Sequence, residues 1–320
     1  MMKILIADSF PEAHQARLNE LGHELTLDPS LAEDTLTDAI ADNEVLIVRS
    51  TKVNAKTLEA GKNLKLVIRA GAGTNTIDKP RAAELDIRVC NVPGANSVAV
   101  AELVMGLILS IDRNIPDNAS DLRQGVWNKK KYSKAQGLHG QKIGILGLGA
   151  IGLAVAERAR AFGMQVFAVA KPGRSDSAEQ RIKDAGIEQL GSMDALLGEC
   201  DIVSLHMPAA DDTKQMVNAD FLSKMKDGAM LINTSRGELV DEAALLDAME
   251  SKGIRAGLDV YDNEPGASDN SFTSTLANHS SVCGTHHIGA STEQAQTAVS
   301  DGVLHVIDAY QNGEFRNCVN

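Results

Sequence analysis

The sequence predicts an α/β protein made of two parallel-sheet domains, Rossmann-like or flavodoxin-like in topology. Short aliphatic runs alternate with segments of helical periodicity, which is typical of β-α-β units. The pattern restarts at a glycine-rich turn: about four such units precede the turn and about six begin with it. With 320 residues, 43% of them hydrophobic, the chain is long enough to form two buried cores.

The aliphatic runs predict strands in both halves of the chain. They are MKILIAD, EVLIVRS, LKLVIRA and IRVCNV in the first half, and QKIGILGLG, QVFAVA, CDIVSLH, AMLINTS, RAGLDVY and SSVCGTH in the second. Between the two groups, residues 96–116 have apolar positions at helical spacing and predict a long buried helix that Pro116 ends. Residues 117–140 are polar and rich in lysine. They predict a solvated loop or, alternatively, an arm across a dimer interface with Trp127 as its anchor.

Composition narrows the classes of partner and site. A net charge of -12 argues against nucleic acid or an anionic membrane as the main partner. No apolar run approaches the length of a membrane span, and the N-terminus has no signal-peptide pattern. The four cysteines (Cys90, Cys200, Cys283 and Cys318) are far apart in sequence without a C-x-x-C pair, which predicts reduced thiols in a cytoplasmic protein. No pattern indicates a metal site.

Gly147, Gly149 and Gly152 have G-x-G-x-x-G spacing between a predicted strand and an alanine-rich helix. The first glycine permits a tight turn, the second lets the backbone approach a pyrophosphate, and the third lets helix and strand pack closely. The turn therefore predicts dinucleotide binding by Gly147, Leu148, Gly149, Ala150, Ile151 and Gly152.

An acidic residue that binds the adenosine ribose usually lies about 20 residues after such glycines. Here the position holds Lys171, with Arg174 three residues later and Ser175 next to it. We expect NADP(H) to be favoured over NAD(H), because both cations can bind a 2′-phosphate, to which Ser175 could add a neutral donor. The alternative is that both side chains are solvated and NAD(H) binds through the rest of the site.

Arg236, Glu264 and His287 each follow a predicted strand of the second half. The carboxyl ends of parallel strands line the ligand crevice. There a guanidinium can hold a substrate carboxylate and polarise its ketone, an imidazolium can protonate the developing alkoxide, and a carboxylate can orient the imidazole. Each residue alone could be an ion pair, a turn or a loop residue, but the three together indicate hydride transfer to a 2-oxo acid.

The segments GLGAIG, NTSRGELVDE, LDVYDNEP and HIGAST resemble the signatures of the D-isomer-specific 2-hydroxyacid dehydrogenase family, and the resemblance covers almost the whole chain. It implies Arg236, Glu264 and His287 as the catalytic set, and a homodimer that closes a cleft between two domains. It implies a substrate-binding domain of residues 1–98 plus 291–320 and a dinucleotide-binding domain of residues 99–290. It implies further contacts to the cofactor from His206, Pro208, Thr213, Thr234, Asp259 and Gly289. Of these, Asp259 would lie near the nicotinamide carboxamide. Substrate contacts implied besides Arg236 are Arg49, Ser50, Ala72, Gly73 and Thr74.

Within the family, VRSTKVNAKTLEA, VIRAGAGTNTID, RNIP, GVWNKKKYSKAQGLHG and NCVN are most similar to members that act on 3-phosphoglycerate, the expected substrate. Arg49, Arg69 and residues 129–131 offer positive charge for its phosphate, unless they are solvated or paired. Alternatives of the same class are hydroxypyruvate or glyoxylate reduction and sulfolactate oxidation. A non-enzymatic, corepressor-like dinucleotide sensor is the alternative of a different class.

Two residues depart from the family pattern: Lys171, at the place of the acidic residue, and His286. The family commonly has a proline before the catalytic histidine, whereas this chain has His286, so two imidazoles are adjacent. His287 is the expected catalytic residue because it directly precedes IGAST. The sequence also ends at Asn320 without the regulatory domain of longer members, so serine feedback through such a domain is not expected.

Overall fold

Two compact units make up the protein, whose computed structural model describes residues 1–265 and 271–320. The first unit comprises residues 1–96 and 291–320, and the second comprises residues 97–290. No helix in the described ranges combines the length and the apolar character that crossing a membrane requires.

The first unit is built on a five-stranded parallel sheet. Its strands are β1 (Lys3–Ile6), β2 (Glu24–Leu27), β3 (Val45–Val48), β4 (Leu66–Arg69) and β5 (Arg88–Asn91). Its helices are α1 (Glu12–Glu20), α2 (Glu33–Ala39), α3 (Ala55–Ala60), α4 (Lys79–Glu84) and, from the end of the chain, α12 (Glu293–Gln311). The strand order is β2-β1-β3-β4-β5. Such a sheet needs a helical layer on each face, because its strands carry buried side chains on both sides.

Helix α12 completes one face of this unit although it is remote in sequence. Its residues Val299, Val303, Val306 and Ile307 are buried in one apolar cluster with side chains of β1, β3, β4 and β5. Gly302 lies so close to that sheet that a Cβ atom there would meet Val92 at 2.3 Å. The helix is therefore part of the core and not an appendage to it.

The second unit contains a seven-stranded parallel sheet. Its strands are β6 (Lys142–Leu146), β7 (Gln165–Val169), β8 (Glu188–Leu190), β9 (Ile202–Leu205), β10 (Met230–Asn233), β11 (Arg255–Leu258) and β12 (Val282–Gly284). Its helices are α5 (Ser97–Arg113), α6 (Ile115–Arg123), α7 (Ala150–Ala161), α8 (Asp176–Asp184), α9 (Met193–Glu199), α10 (Ala219–Lys224), the 3₁₀ helix η1 (Gly237–Leu239) and α11 (Glu242–Lys252).

The strand order of the second sheet, β12-β11-β10-β9-β6-β7-β8, contains one reversal of direction. The chain moves outward from β6 through β7 to β8, and then returns to place β9 on the other side of β6. In an open α/β sheet, ligands bind at such a switch point, outside the carboxyl ends of the strands. The turn after β6 and the loop after β9 therefore flank the expected ligand crevice.

The structure differs from the sequence-based expectation at three places. Strands β2 and β8 were not expected, because ELTL and EQL are short edge strands with mostly exposed side chains. Pro116 does not end the long helix: that helix ends at Arg113, and Asn114 takes a left-handed conformation with φ of 48°. Pro116 lies in the first turn of α6, where proline is tolerated, so part of the expected polar loop is helical.

Candidate active site

The three catalytic candidates and most of the residues expected to bind the cofactor lie after five neighbouring strands of the second sheet. The glycine turn follows β6 and His206 follows β9. Thr234 and Arg236 follow β10, Asp259 and Glu264 follow β11, and His287 follows β12. All these strands are parallel, so their carboxyl ends form one edge of the sheet.

The glycine turn has the shape that a pyrophosphate requires. Gly147 has φ of 101°, and a Cβ atom there would lie 2.2 Å from the carbonyl oxygen of His206. A Cβ atom on Gly152 would lie 2.0 Å from the carbonyl oxygen of Gly147. Gly149, by contrast, opens onto free space at the N-terminus of α7. The first and third glycines are thus required by packing, whereas the second leaves room for an anion beside the free amides of the helix.

Two buried polar atoms at this edge of the sheet lack a partner among the described residues: His206 Nδ1 and Thr234 Oγ1. The His206 Nε2 atom lies 2.8 Å from Ser204 Oγ. Burial lowers the pKa of His206 to about 3, so its imidazole is neutral. Either tautomer leaves Nδ1 with an unmet hydrogen bond, and an unmet buried group favours a bound polar ligand. Together with the open face of Gly149, these atoms fit a dinucleotide.

Pro208 and Thr213 belong to the loop that follows His206. The Thr213 hydroxyl donates to the Pro208 carbonyl at 2.9 Å and accepts from the Ala210 amide at 2.8 Å. These bonds close the loop on itself. Thr213 therefore fixes the conformation of this loop at the rim of the expected cofactor site.

Asp259 holds the loop after β12 through four hydrogen bonds. Its buried carboxylate accepts from the Thr285 hydroxyl at 2.6 Å and from the amides of Ile288 and Gly289, each at 2.8 Å. Its carbonyl accepts from the His287 amide at 2.8 Å. The resemblance implied a place near the nicotinamide carboxamide, but did not reveal this role. In the sequence, the signal for this role is an Asp that directly follows an apolar strand.

His287 and Glu264 form a hydrogen-bonded pair at the sheet edge. His287 Nδ1 lies 2.7 Å from Glu264 Oε2, while Glu264 Oε1 accepts from the Tyr261 amide at 3.0 Å. The His287 backbone has φ of 52°, a left-handed conformation that costs energy for a residue other than glycine. The hydrogen bonds to Asp259 stabilise this turn. With Nδ1 occupied by Glu264, the Nε2 atom is left for a substrate.

The charge state of Glu264 follows from opposing effects. Burial alone raises the pKa of its carboxyl, but the hydrogen bond and charge of His287, the Tyr261 amide and the charge of Arg236 together lower it. The carboxylate therefore stabilises the fold above its unfolded-state pKa, and this contribution is lost as the pH falls through the lowered folded-state pKa.

Arg236 is positioned by the backbone around it. Its carbonyl accepts from Asn233 Nδ2 at 2.8 Å, and its Nη1 donates to the Ser235 carbonyl at 2.6 Å. The next residue, Gly237, packs against the following loop, since a Cβ atom there would lie 2.0 Å from the Tyr261 carbonyl carbon. Only glycine permits this approach, which joins the loop carrying Arg236 to the loop carrying Glu264.

Lys171, Arg174 and Ser175 follow β7, on the other side of the glycine turn. Lys171 is exposed, and no hydrogen bond or ion pair joins it to any residue in 1–265 or 271–320. Arg174 donates to the Val169 carbonyl at 3.1 Å and to Gln189 Oε1 at 2.8 Å. Ser175 is the N-cap of α8. The cation at 171 is thus freely available, whereas Arg174 and Ser175 already support the local structure.

The expected substrate contacts of the first unit follow two adjacent strands of its own sheet. Arg49 and Ser50 follow β3, and the turn of residues 72–74 follows β4. The Asp8 carboxylate accepts from the amides of Arg49, at 2.6 Å, and Ser50. Asn91 Nδ2 donates to the Ala72 carbonyl at 2.6 Å. These hydrogen bonds fix the backbone of both segments.

Residues 129–131 and Trp127 complete the sequence-based candidates. Lys131 is paired with Asp121 at 2.9 Å, so it is not an unengaged cation. The Trp127 side chain is 81% exposed. Over the described parts of the chain, no group of three or more His, Cys, Asp or Glu side chains is arranged to hold a metal ion.

Comparison with known proteins gives one matching family and several relatives that match along this chain, most of which are considerably longer than it. Residues 105–289 match the family model described as "D-isomer specific 2-hydroxyacid dehydrogenase, NAD binding domain". The chain is 39% identical, over 100% of its own length, to the D-3-phosphoglycerate dehydrogenase of Methanocaldococcus jannaschii, but it spans only 60% of that protein. It is 41% identical to the hydroxypyruvate reductase of Thermotoga maritima, over 90% of this chain and 91% of that protein.

Solved structures have the same architecture. An acyclic imino acid reductase in complex with NADPH and D-Arg superimposes with a TM-score of 0.86, at 27% identity, over 100% of both chains. A likeness over both full lengths confirms the expected α/β fold with two parallel-sheet domains.

Substitution of Asp259 tests its role in holding the loop after β12. In Asp259→Asn, one carboxylate oxygen becomes an amide group, which cannot accept a hydrogen bond from an N–H group. We expect amide hydrogen exchange at Ile288 and Gly289 to accelerate by about 10–100-fold, because an unpaired buried donor costs about 1–3 kcal/mol. Asp262→Asn, at an exposed position, is the matched control. Unchanged exchange in Asp259→Asn would show that other contacts hold the loop.

Proposed function

The chain belongs to the D-isomer-specific 2-hydroxyacid dehydrogenase family, and we propose that it interconverts a small D-2-hydroxy acid and its 2-oxo acid. The observation that carries this proposal is the 2.7 Å pair of His287 and Glu264 on the same sheet edge as Arg236. A bound nicotinamide dinucleotide supplies or accepts the hydride in this reaction. The protein's own residues then need only to bind, orient and move a proton.

Each of the three residues has a distinct role in the proposed reaction. The guanidinium of Arg236 binds the substrate carboxylate and polarises the keto oxygen. His287, held at Nδ1 by Glu264, donates the proton on Nε2 to the forming hydroxyl oxygen, and takes it back in the oxidation direction. Glu264 stabilises the imidazolium before transfer and fixes the ring so that Nε2 faces the reacting oxygen.

The best-supported substrate pair is 3-phosphoglycerate and 3-phosphohydroxypyruvate. The match of this whole chain to 60% of a phosphoglycerate dehydrogenase favours it, and Arg49 offers positive charge in the first unit. Arg49, Ser50 and residues 72–74 are proposed substrate contacts. Hydroxypyruvate reduction is the second candidate, because the chain matches a hydroxypyruvate reductase at slightly higher identity and over nearly all of that protein.

We further propose a cytoplasmic homodimer formed through the second unit. Four large apolar side chains of α6 and the segment that follows are exposed: Ile115, Leu122, Val126 and Trp127. Exposed apolar side chains in such a group are typical of a protein interface. Sedimentation velocity tests the dimer, and a single species of 34.0 kDa would contradict it.

A substrate panel tests both the enzyme class and the substrate. We expect the highest kcat/KM with phosphohydroxypyruvate, and a 10²–10⁴-fold loss in His287→Ala because proton transfer is removed. His286→Ala is the matched control and should retain activity. Tenfold better turnover of hydroxypyruvate or glyoxylate would overturn the substrate but not the class. Binding of the cofactor without turnover of any 2-oxo acid would overturn the class and favour a sensor.

Glu264→Gln tests the proposed pairing. The imidazole survives but loses its charge partner, so activity should persist while the pH profile for 2-oxo acid reduction moves. We expect the profile to move because Glu264, whose pKa is lowered, carries a negative charge beside His287 where its Gln replacement is neutral. Glu250→Gln, which removes a carboxylate 2.9 Å from His279, is the matched control. An unmoved profile in Glu264→Gln would disprove the pairing.

The cofactor preference is proposed to be NADP(H) over NAD(H), because position 171 carries an exposed cation in place of an acidic residue. Lys171→Asp should reverse the cofactor preference. We expect the ratio of kcat/KM with NADP(H) to kcat/KM with NAD(H) to fall by about 10–100-fold, because the variant loses a charged hydrogen bond to the 2′-phosphate and repels it instead. Arg174→Ala should also lower kcat/KM with NADP(H). This variant is a less specific test, since the Arg174 side chain also donates to Val169 and Gln189. Lys183→Asp on α8 is the matched control. Equal or better use of NAD(H) by the unaltered protein would refute the preference.

A further inference from the structure

Residues 317–320, here called the C-terminal segment, pair with β5, the edge strand of the first sheet. The Asn91 amide donates to the Asn317 carbonyl at 3.2 Å, and the Val319 amide donates to the Val89 carbonyl at 2.9 Å. The Asn320 side chain adds two bonds to the same strand: Oδ1 accepts from the Val89 amide at 2.8 Å, and Nδ2 donates to the Ile87 carbonyl at 2.8 Å. The segment is therefore held along the strand in a defined register.

This register places Cys90 directly opposite Cys318 in an antiparallel bridge. The two backbone hydrogen bonds come from the residues on either side of the cysteines, so the pair is a non-hydrogen-bonded one. Opposed residues at such a site have Cα atoms about 4.5 Å apart and side chains on the same face. A disulfide needs a Cα separation of about 4.4–6.8 Å. The backbone thus already has the spacing that a disulfide requires.

The two thiols differ in their access to solvent. Cys90 is fully buried and Cys318 is exposed, and both are free thiols. The Cys318 thiol donates to the carbonyl and the side-chain oxygen of Asn320, each at 3.5 Å. Burial, with a smaller effect of Cys318, raises the pKa of Cys90 to about 12. The exposed thiol is therefore the one that a reagent in solution meets first.

We propose that Cys90 and Cys318 are a disulfide site that reacts with small-molecule disulfides by thiol–disulfide exchange. In the first step the Cys318 thiolate attacks a reagent RSSR, which gives a Cys318–SR mixed disulfide and releases one RS⁻. In the second step the Cys90 sulfur attacks the Cys318 sulfur and its proton passes to the departing thiolate, which leaves as RSH. Two protein thiols are oxidised, and one RSSR is reduced to two thiols after protonation.

The bond would anchor the C-terminal segment covalently to the edge of the sheet. Cys90 and Cys318 are far apart in sequence, so the bond closes a long loop, which restricts the unfolded chain strongly. In the folded protein, the backbone beside Cys90 is already held in place, since Asn91 Nδ2 donates to the Ala72 carbonyl. The oxidised and reduced forms should therefore differ mainly in thermal stability, with little change in backbone structure.

Oxidation of the unaltered full chain tests the site. After incubation with oxidised glutathione, unfolding in denaturant and alkylation of free thiols, we expect two of the four cysteines to resist alkylation, whereas all four of the untreated protein should be alkylated. Mass spectrometry without reduction should find one peptide pair joined through Cys90 and Cys318. The Tm should rise by several degrees and return to its starting value on reduction. Four alkylated cysteines, or a stable glutathione adduct on Cys318 without the joined peptides, would overturn the proposal.

Single serine variants separate the two steps. Cys318→Ser, at an exposed position, should lose both the joined peptides and the rise in Tm. Cys90→Ser should stop at the mixed disulfide on Cys318. Cys283→Ser is the matched control and should form the Cys90–Cys318 bond as the unaltered protein does. Formation of a different protein disulfide in the unaltered chain would also contradict the assignment.

Discussion

Parallel pairing of β6 with β9, and of β9 through β12 in succession, is the constraint on which the candidate site depends. Parallel strands all deliver their following loops to one edge of the sheet. The glycine turn, His206, Arg236, Glu264 and the loop of His287 therefore converge although they span well over 100 residues of sequence. The close backbone contact of Gly237 with Tyr261 then joins two of these loops directly. Several loops therefore form the site together, and the site requires that all of them lie at the same edge of the sheet.

Both units hold their loops in the same way. In the first, the Asp8 carboxylate after β1 accepts amides from the segment after β3; in the second, the Asp259 carboxylate after β11 accepts amides from the segment after β12. A carboxylate has several acceptor sites and charge-assisted bonds are strong, so one side chain can fix several residues of a neighbouring loop. This compensates in part for the absence of a proline before His287.

The sequence was sufficient to predict the fold class and most strands, because aliphatic runs at strand spacing are a local signal. It was not sufficient for β2 and β8, whose side chains are mostly exposed at sheet edges. The three catalytic candidates could be named from their place after strands. The hydrogen bonds from Thr285, Ile288 and Gly289 to Asp259 could not, because they join residues about thirty apart through tertiary structure. For the same reason, four cysteines that are scattered in sequence gave no sign that two of them face each other.

The insertion of residues 97–290 between the two parts of the first unit has a consequence for synthesis on the ribosome. Val299, Val303 and Ile307 belong to the apolar core of the first unit, yet they are translated after the whole of the second. Domains generally fold as units, in the order in which their chain emerges. Here the order is inverted: the second unit has its full sequence first, while one apolar face of the earlier strands is covered only in part, by α1 and Phe10. A chaperone that shields nascent chains would find its binding surface on β1, β3, β4 and β5 until α12 emerges.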